Sequence, residues 1–262
     1  MVESLRNLFK YRELLFVLTQ REIQIRYKQS VLGIAWAIIQ PLALMLMFTL
    51  VFSALLKIPS DGVPYPLFVY SALLPWTFFS NSLNRAIPSL EANAQLIKKV
   101  YFPRELFPVA SVLAAGFDFL ISAAIFVGLM VYYRADVQFT VYLLYVVPIL
   151  MIQIVFTLGI CLFASAVNVY YRDVKHALPL LIQVWMYASP IIYPVSQVPE
   201  RLQTIYFLNP MAGIIHSYRS VLVKGVAPTD YYLAIAAAGS VVLFLVCYFY
   251  FKRIEMEFAD VV

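Results

Sequence analysis

Six stretches of this chain run without formal charge, or with a single one, over the length a helix needs to cross a bilayer. No charged residue lies between Lys28 and Lys57, between Asp61 and Arg85, between Asp136 and Arg172, between Lys175 and Glu200, or between Asp230 and Lys252. The run 106–133 is broken only by Asp118. A crossing takes about 20 predominantly apolar residues. Hydrocarbon offers no water to the backbone, so each crossing must pair its own N–H and C=O groups, as an α-helix does. The sequence therefore predicts an all-α integral membrane protein, a single transmembrane domain of six spans, at about 31–56, 63–83, 106–133, 141–168, 176–194 and 231–251. Only 13% of the residues are charged, against about 25% in soluble domains.

The flanking charges orient the spans. An even number puts both ends of the chain on one side. With that side cytoplasmic, 14 of the 19 Lys and Arg fall inside and five (Lys57, Arg134, Arg201, Arg219 and Lys224) fall outside, as the positive-inside rule requires. The net charge of +5 is then explained by topology, and no nucleic-acid partner is expected. A further apolar stretch, 202–218, is short and is interrupted by "LNPMAG". Asn-Pro and Gly break a helix, so this stretch reads as an external re-entrant hairpin. Residues 1–28 carry Glu3, Glu13 and Glu22 and no unbroken apolar core, which argues against a signal peptide. Leu5, Leu8, Phe9, Leu15 and Phe16 recur at helical spacing with Arg6, Lys10 and Arg12 among them. That is the pattern of an amphipathic helix, either lying in the membrane interface or packed on another subunit.

Several chemistries find no support. Cys161 and Cys247 lie in apolar runs without CxxC or Cys/His spacing and read as small buried hydrophobes, so no disulfide or metal site is expected. No GxxxxGK[ST] phosphate loop occurs, so any use of ATP falls to another chain. His176 and His216 fall on opposite sides of the membrane, and no set of nucleophile, base and metal ligands supports a membrane-embedded transferase. No ring of charge or carbonyl filter suggests an ion channel. Asp118 lies about 18 Å into its span at helical rise. A charge at that depth is costly and is a functional candidate by default. No span offers it an evident basic partner, and a structural role is expected.

The segment 97–106, "IKKVYFPREL", is out of place in hydrocarbon. It falls on the cytoplasmic side between the second and third spans, with Lys98, Lys99, Arg104 and Glu105 around two large aromatics, Tyr101 and Phe102. Pro103 suits the first turn of a new helix. Exposed aromatics beside cations resemble the anchors of protein interfaces. The same residues also suit a headgroup layer, with the lysines on anionic lipid. The other cytoplasmic loop, "NVYYRDVKHALP", holds Arg172 and Asp173. It reads as a second contact or a gate, or as a solvated turn with a local ion pair.

Taken in order, "REIQIRYKQSVLGIAWAIIQPL" (21–42), "LIKKVYFPRELFPVASVL" (96–113), "NVYYRDV" (168–174), "SPIIYP" (189–194), "LNPM" (208–211) and the final "FADVV" resemble the polysaccharide-export permeases of ATP-binding-cassette transporters. These are the membrane subunits that export O-antigen, capsule or teichoic acid polymers. The likeness covers nearly the whole chain and is specific to the family, not to the polymer. It implies a permease homodimer in a bacterial inner membrane, with both termini cytoplasmic and two separate ATP-binding subunits below. ATP and Mg would be held by those subunits, with no cofactor on this chain and no enzymatic activity of its own. The cargo implied is a lipid-linked polysaccharide, O-antigen first, with a drug or lipid as the alternative.

The resemblance also implies residue roles. Segment 96–106 becomes a coupling helix, which moves Lys98, Lys99, Tyr101, Phe102, Arg104 and Glu105 towards contact with the ATPase. The first and fifth spans surround a channel, which makes Trp36, Phe48, Trp185, Tyr187 and Tyr193 candidates to meet sugar rings. Trp and Tyr also gather at membrane interfaces for amphipathic reasons alone. Arg21, Arg26 and Lys28 suit either the pyrophosphate of a lipid-linked glycan or anionic lipid headgroups.

Overall fold

The computed structural model describes residues 10–28, 32–100, 102–133, 141–228 and 230–258. Among them every regular element is helical. In chain order these are α1 (Arg12–Tyr27), α2 (Ala35–Phe48) continuing as a π-helical stretch Thr49–Leu55, α3 (Tyr65–Ala92), α4 (Ala94–Lys99) and α5 (Leu106–Tyr132). A 3-10 turn Val141–Tyr145 leads into α6 (Val146–Tyr170), followed by α7 (Val174–Tyr187), α8 (Glu200–Tyr206), α9 (Pro210–Leu222) and α10 (Asp230–Ile254).

Among the described residues, four segments are long and apolar enough to cross a membrane: Ala35–Leu55, Leu106–Tyr132, Val141–Tyr170 and Tyr231–Glu257. They coincide with the first, third, fourth and sixth expected spans. The other two differ, each for its own reason. α3 has the length, at 28 residues, but carries Ser71, Thr77, Ser80, Asn81, Ser82, Asn84 and Arg85. It tolerates them because α2, α5, α6, α7 and α9 all pack on it, and 19 of its residues are buried. Its neighbours are protein, so it needs less apolar surface than a helix facing lipid. α7 has only 14 residues, about 21 Å at helical rise, short of the roughly 30 Å hydrocarbon core. The expected span 176–194 ends early because residues 188–194, with Pro190 and Pro194, leave the helix in turns.

The break expected within 202–218 is present. α8 stops at Tyr206 and α9 restarts at Pro210. Asn209 caps α9 by accepting from the Met211 amide at 3.1 Å, and Pro210 occupies the first turn, where its missing N–H costs nothing.

Between helices in a membrane, close packing and buried hydrogen bonds replace the hydrophobic drive that water supplies. α3 is stitched this way. Gln153 donates to the Pro75 carbonyl (2.8 Å), Tyr65 to that of Ile192 (2.9 Å) and Tyr70 to that of Ser122 (3.3 Å). Phe79 stacks on Phe156 and takes the edge of Trp185, with ring centres 5.4 and 5.2 Å apart. Cys161 and Cys247 are buried and unpaired.

α1 packs along α5. Leu18 is buried with Leu90, Ile97, Phe102, Leu106 and Phe107, and further along α1 the Tyr27 ring meets Phe117 edge-on at 6.4 Å. Phe16, Val17 and Ile25 remain exposed. The helix thus has one apolar side on protein and others open. Leu5, Arg6, Leu8 and Phe9 lie outside the described residues.

Candidate functional site

Asp118 has partners that the sequence did not reveal. It is 5% exposed. Its Oδ2 accepts from Arg26 Nη1 at 2.5 Å and from Arg85 Nη2 at 2.6 Å. Its Oδ1 accepts from the Tyr27 hydroxyl. The expectation that no basic partner was available is therefore corrected. Arg85 lies two residues beyond the span end expected at 83, yet α3 runs on to Ala92 and carries it against α5. Arg26 arrives from α1, which lies alongside. The cluster joins three elements, α1, α3 and α5, and its one carboxylate answers two guanidiniums. The available signal was that α3 and α5 are the long helices on either side of the short α4, so they pack side by side and bring Arg85 within reach of Asp118.

The neighbouring cations behave differently. Arg21 Nη2 donates to Asn93 Oδ1 at 2.7 Å, at the end of α3, and lies 3.5 Å from Glu22. Lys28 is exposed at the end of α1. Of the three residues expected to receive pyrophosphate or headgroups, only Lys28 makes no ion pair among the described residues; Arg26 is engaged inside the protein.

Segment 97–106 is half handle and half anchor. α4 ends in Lys98 and Lys99, both exposed, as is Val100. Tyr101 lies outside the described residues. Phe102 corrects the expectation of an exposed aromatic pair. It is 5% exposed, packed edge-on to Phe107 at 5.5 Å in the cluster that holds Leu18. The expected helix start at Pro103 moves to Leu106. Arg104 and Glu105 turn towards the end of α10. The Arg104 amide donates to Glu255 Oε1 at 2.8 Å and its guanidinium to the Glu255 carbonyl. Glu105, 2% exposed, pairs with Lys252, which also reaches Glu255 at 2.8 Å. Four charges from two distant parts of the chain thus lock the segment onto α10.

In the other loop Arg172 and Asp173 are exposed in the turn before α7, and the local ion pair expected there is not formed. Lys175 pairs instead with Glu91 of α3 at 3.0 Å. Asn168 completes the link by donating to Glu91 at 3.3 Å and accepting from the Lys175 amide at 3.1 Å. The bond and charge of Lys175 hold the Glu91 carboxyl below its usual range, so that carboxyl is ionised at neutral pH.

The five aromatics expected to line a channel separate into two groups. Trp36 and Tyr187 are open, at 46% and 50% exposure. Phe48 is buried against Phe52 at 5.7 Å, and Trp185 is half-buried in the Phe79–Phe156 cluster. Both rings are thus engaged with other aromatics of this chain. Tyr193 donates to the Tyr187 carbonyl (3.1 Å) and accepts from Tyr206 (3.3 Å).

Asn209 ties the end of α7 to the start of α9. It accepts from Trp185 Nε1 at 3.0 Å, donates to Ser189 Oγ at 3.1 Å, and caps α9. Asn209→Ala removes a cap worth about 1 kcal/mol and leaves a buried N–H and hydroxyl unpaired, for a total loss of roughly 2–3 kcal/mol. Asn209→Asp keeps the acceptor and recovers most of it. Thermal unfolding in detergent reads this order, and equal midpoints for the two variants would dismiss the cap.

Residues 13–223 match the membrane-protein family described as ABC-2 type transporter, and the chain belongs to that family. It is 32% identical over 263 residues, 99% of each chain, to the O-antigen export system permease protein RfbA of Myxococcus xanthus. It is 31% identical over 258 residues, 97% of each chain, to the protein of the same name from Klebsiella pneumoniae. Over 208 residues, 78% of this chain and 79% of the other, it is 26% identical to the polysialic acid transport protein KpsM of Escherichia coli.

Proposed function

We propose that this chain is the membrane permease of an ATP-driven exporter that passes a lipid-linked polysaccharide, O-antigen foremost, out of the cytoplasm across a bacterial inner membrane. The observation that carries this reading is end-to-end similarity to two permeases named for O-antigen export. In this reading α3 and α7, the latter with residues 188–194, complete six spans. Both termini are cytoplasmic, α1 rests in the membrane interface, and α8–α9 form the external re-entrant hairpin. The charge asymmetry of the loops and the open side chains Phe16, Val17 and Ile25 of α1 support that placement.

Two copies form the channel, and two separate subunits hold ATP and Mg. α2 and α7 both pack on α3 yet leave Leu46, Met47 and Leu50, and Leu180, Leu181 and Val184, exposed. A second copy would cover part of this surface. Trp36 and Tyr187, open on the same helices, are then the aromatics placed to meet sugar rings. Phe48 and Trp185 shape the wall from behind.

The ATPase contacts this chain through Lys98, Lys99 and Tyr101, with Arg172 and Asp173 in the adjacent loop. Phe102, Arg104 and Glu105 relay its movement, because Arg104 and Glu105 couple the segment to the end of α10 through Lys252 and Glu255 and Phe102 anchors it in the buried cluster. Co-purification from native membranes tests this. The wild type is expected to bring down a nucleotide-binding subunit, and Lys98→Glu/Lys99→Glu about tenfold less of it, since reversing interface charges opposes association. Undiminished ATPase with the variant removes these lysines from the contact. No ATPase with the wild type removes the exporter reading.

A further inference from the structure

Arg219 is a buried cation that makes no direct ion pair among the described residues. It is 3% exposed, and among the described residues no carboxylate pairs with it. Its Nη2 donates to the Pro190 carbonyl at 2.8 Å and more distantly to those of Phe68 and Ile191, both at 3.4 Å. The guanidinium lies 3.7 Å from the centre of the Phe68 ring. Its Nε is buried and has no hydrogen-bond partner. Burying a charge costs several kcal/mol unless it is paired, so a cation buried this way is poised to take an anion.

Arg219 also lines a cavity of about 240 Å³ together with Asp61, Ser196, Gln203, His216 and Lys224. The cavity lies between the loop after α2, the turn Val195–Gln197 and the helices α8 and α9. Asp61 is the one carboxylate in its wall, and it is already engaged. Lys224 Nζ lies 3.0 Å from Asp61 Oδ2, and Ser196 donates to Oδ1 at 3.2 Å. Burial alone would raise the Asp61 carboxyl, but the bond and charge of Lys224, with the Ser196 hydroxyl and the charge of Arg219, outweigh it and hold the group below its usual range. One negative charge therefore faces two positive ones: Asp61 pairs directly with Lys224 and acts on the deeper Arg219 only at longer range, which leaves one positive charge in excess.

We infer that this cavity binds a small oxyanion, a carboxylate or a phosphate. Arg219 supplies the buried charge, Lys224 a second charge at the rim, and Gln203, Ser196 and His216 the polar wall. Charge-assisted bonds from a guanidinium to an oxyanion are the strong ones, and Arg219 lines the cavity with its charge not directly paired. The oxyanion comes either from an acidic sugar or from an anionic lipid headgroup. The binding itself does not depend on the export function and is measured on this chain alone.

The test uses the purified chain in nanodiscs of phosphatidylcholine, titrated with inorganic phosphate and with glucuronate by calorimetry. Wild type is expected to bind at least one of them saturably. Lys224→Gln should weaken that binding about tenfold, because it removes a charged donor. Asp61→Asn should tighten it about tenfold, because it removes the carboxylate that competes for Lys224. Asn tolerates the left-handed backbone that Asp61 adopts (φ 52°) as readily as Asp does, and a misfolded variant cannot gain affinity. Repeating the titration in phosphatidylglycerol nanodiscs separates the sources. Loss of the signal assigns the site to a lipid headgroup, and persistence assigns it to a soluble or glycan-borne anion. Absence of saturable binding in both wild type and Asp61→Asn overturns the inference, as does an Asp61→Asn protein that binds no tighter than wild type.

Discussion

Asp118→Asn lowers the thermal unfolding midpoint of the purified protein by of order 10 °C. The reason is an imbalance of charge. Arg26 and Arg85 both end on Asp118 Oδ2, and the three side chains are 23%, 15% and 7% exposed. Neutralising the carboxylate leaves two guanidiniums facing each other in a poorly hydrated site. Removing one partner of a buried pair costs about 3–5 kcal/mol, and the partial exposure of the arginines favours the low end. For a chain of this size each kcal/mol shifts the midpoint by about 2–4 °C. Arg26→Gln should cost least, because Asp118 and Arg85 remain as a neutral pair. Arg85→Gln should fall between, its side chain being the more buried of the two cations. Adding both arginine changes to Asp118→Asn should restore part of the loss, since the repulsion disappears with the charges. An Asp118→Asn midpoint equal to wild type, or a triple variant no better than the single one, would sink this account.

Gly159→Val separates α6 from α10. A Cβ at residue 159 would stand 2.9 Å from the Phe244 Cα and 3.2 Å from both the Phe244 amide nitrogen and Leu243 Cδ2. Two of these three atoms are backbone, so relief requires α10 itself to move. In a membrane, close backbone approach through small residues is a main source of helix association. Overpacking of this kind costs about 1–3 kcal/mol even where side chains can adjust, and here the main chain must yield. Even Gly159→Ala should destabilise, although alanine gains up to about 1 kcal/mol of helix propensity over glycine. Gly128→Ala provides the contrast, since its new Cβ would meet nothing within 4 Å and should leave the midpoint unchanged or raised. Fluorescence-detected size exclusion after heating ranks the three variants. The same response at residues 159 and 128 would refute the close-packing argument.

These two sites show what could and could not be read from the chain. The apolar stretches that became α2, α5, α6 and α10 were legible because hydrocarbon imposes its rule on each segment separately: length and absence of charge suffice. The interruption before α9 was legible for a similar reason. Asn209-Pro210 forms an N-cap and first turn by local chemistry, whatever surrounds it. α3 was placed only approximately, because its serines and asparagines are acceptable only where other helices cover them. α7 was expected too long, since an uncharged stretch does not disclose where prolines will turn it out of the helix.

The polar contacts were not legible. Asp118 meets Arg26 across 92 residues of sequence and Arg85 across 33, and Glu105 meets Lys252 across 147. Phe102 had the composition of an exposed anchor, and the packing of α1, α5 and α10 made it core instead. Arg219 was counted among the external charges, and only the fold showed it buried beside a cavity with its Nε unpaired. The sequence by itself determined which segments are helical and which are apolar enough for lipid, because these depend on each segment's own exchange with water and hydrocarbon. The tertiary structure decided which charges are paired and which remain available to a ligand or partner, because Coulomb and hydrogen-bond energies depend on distances that only the packing of remote helices sets.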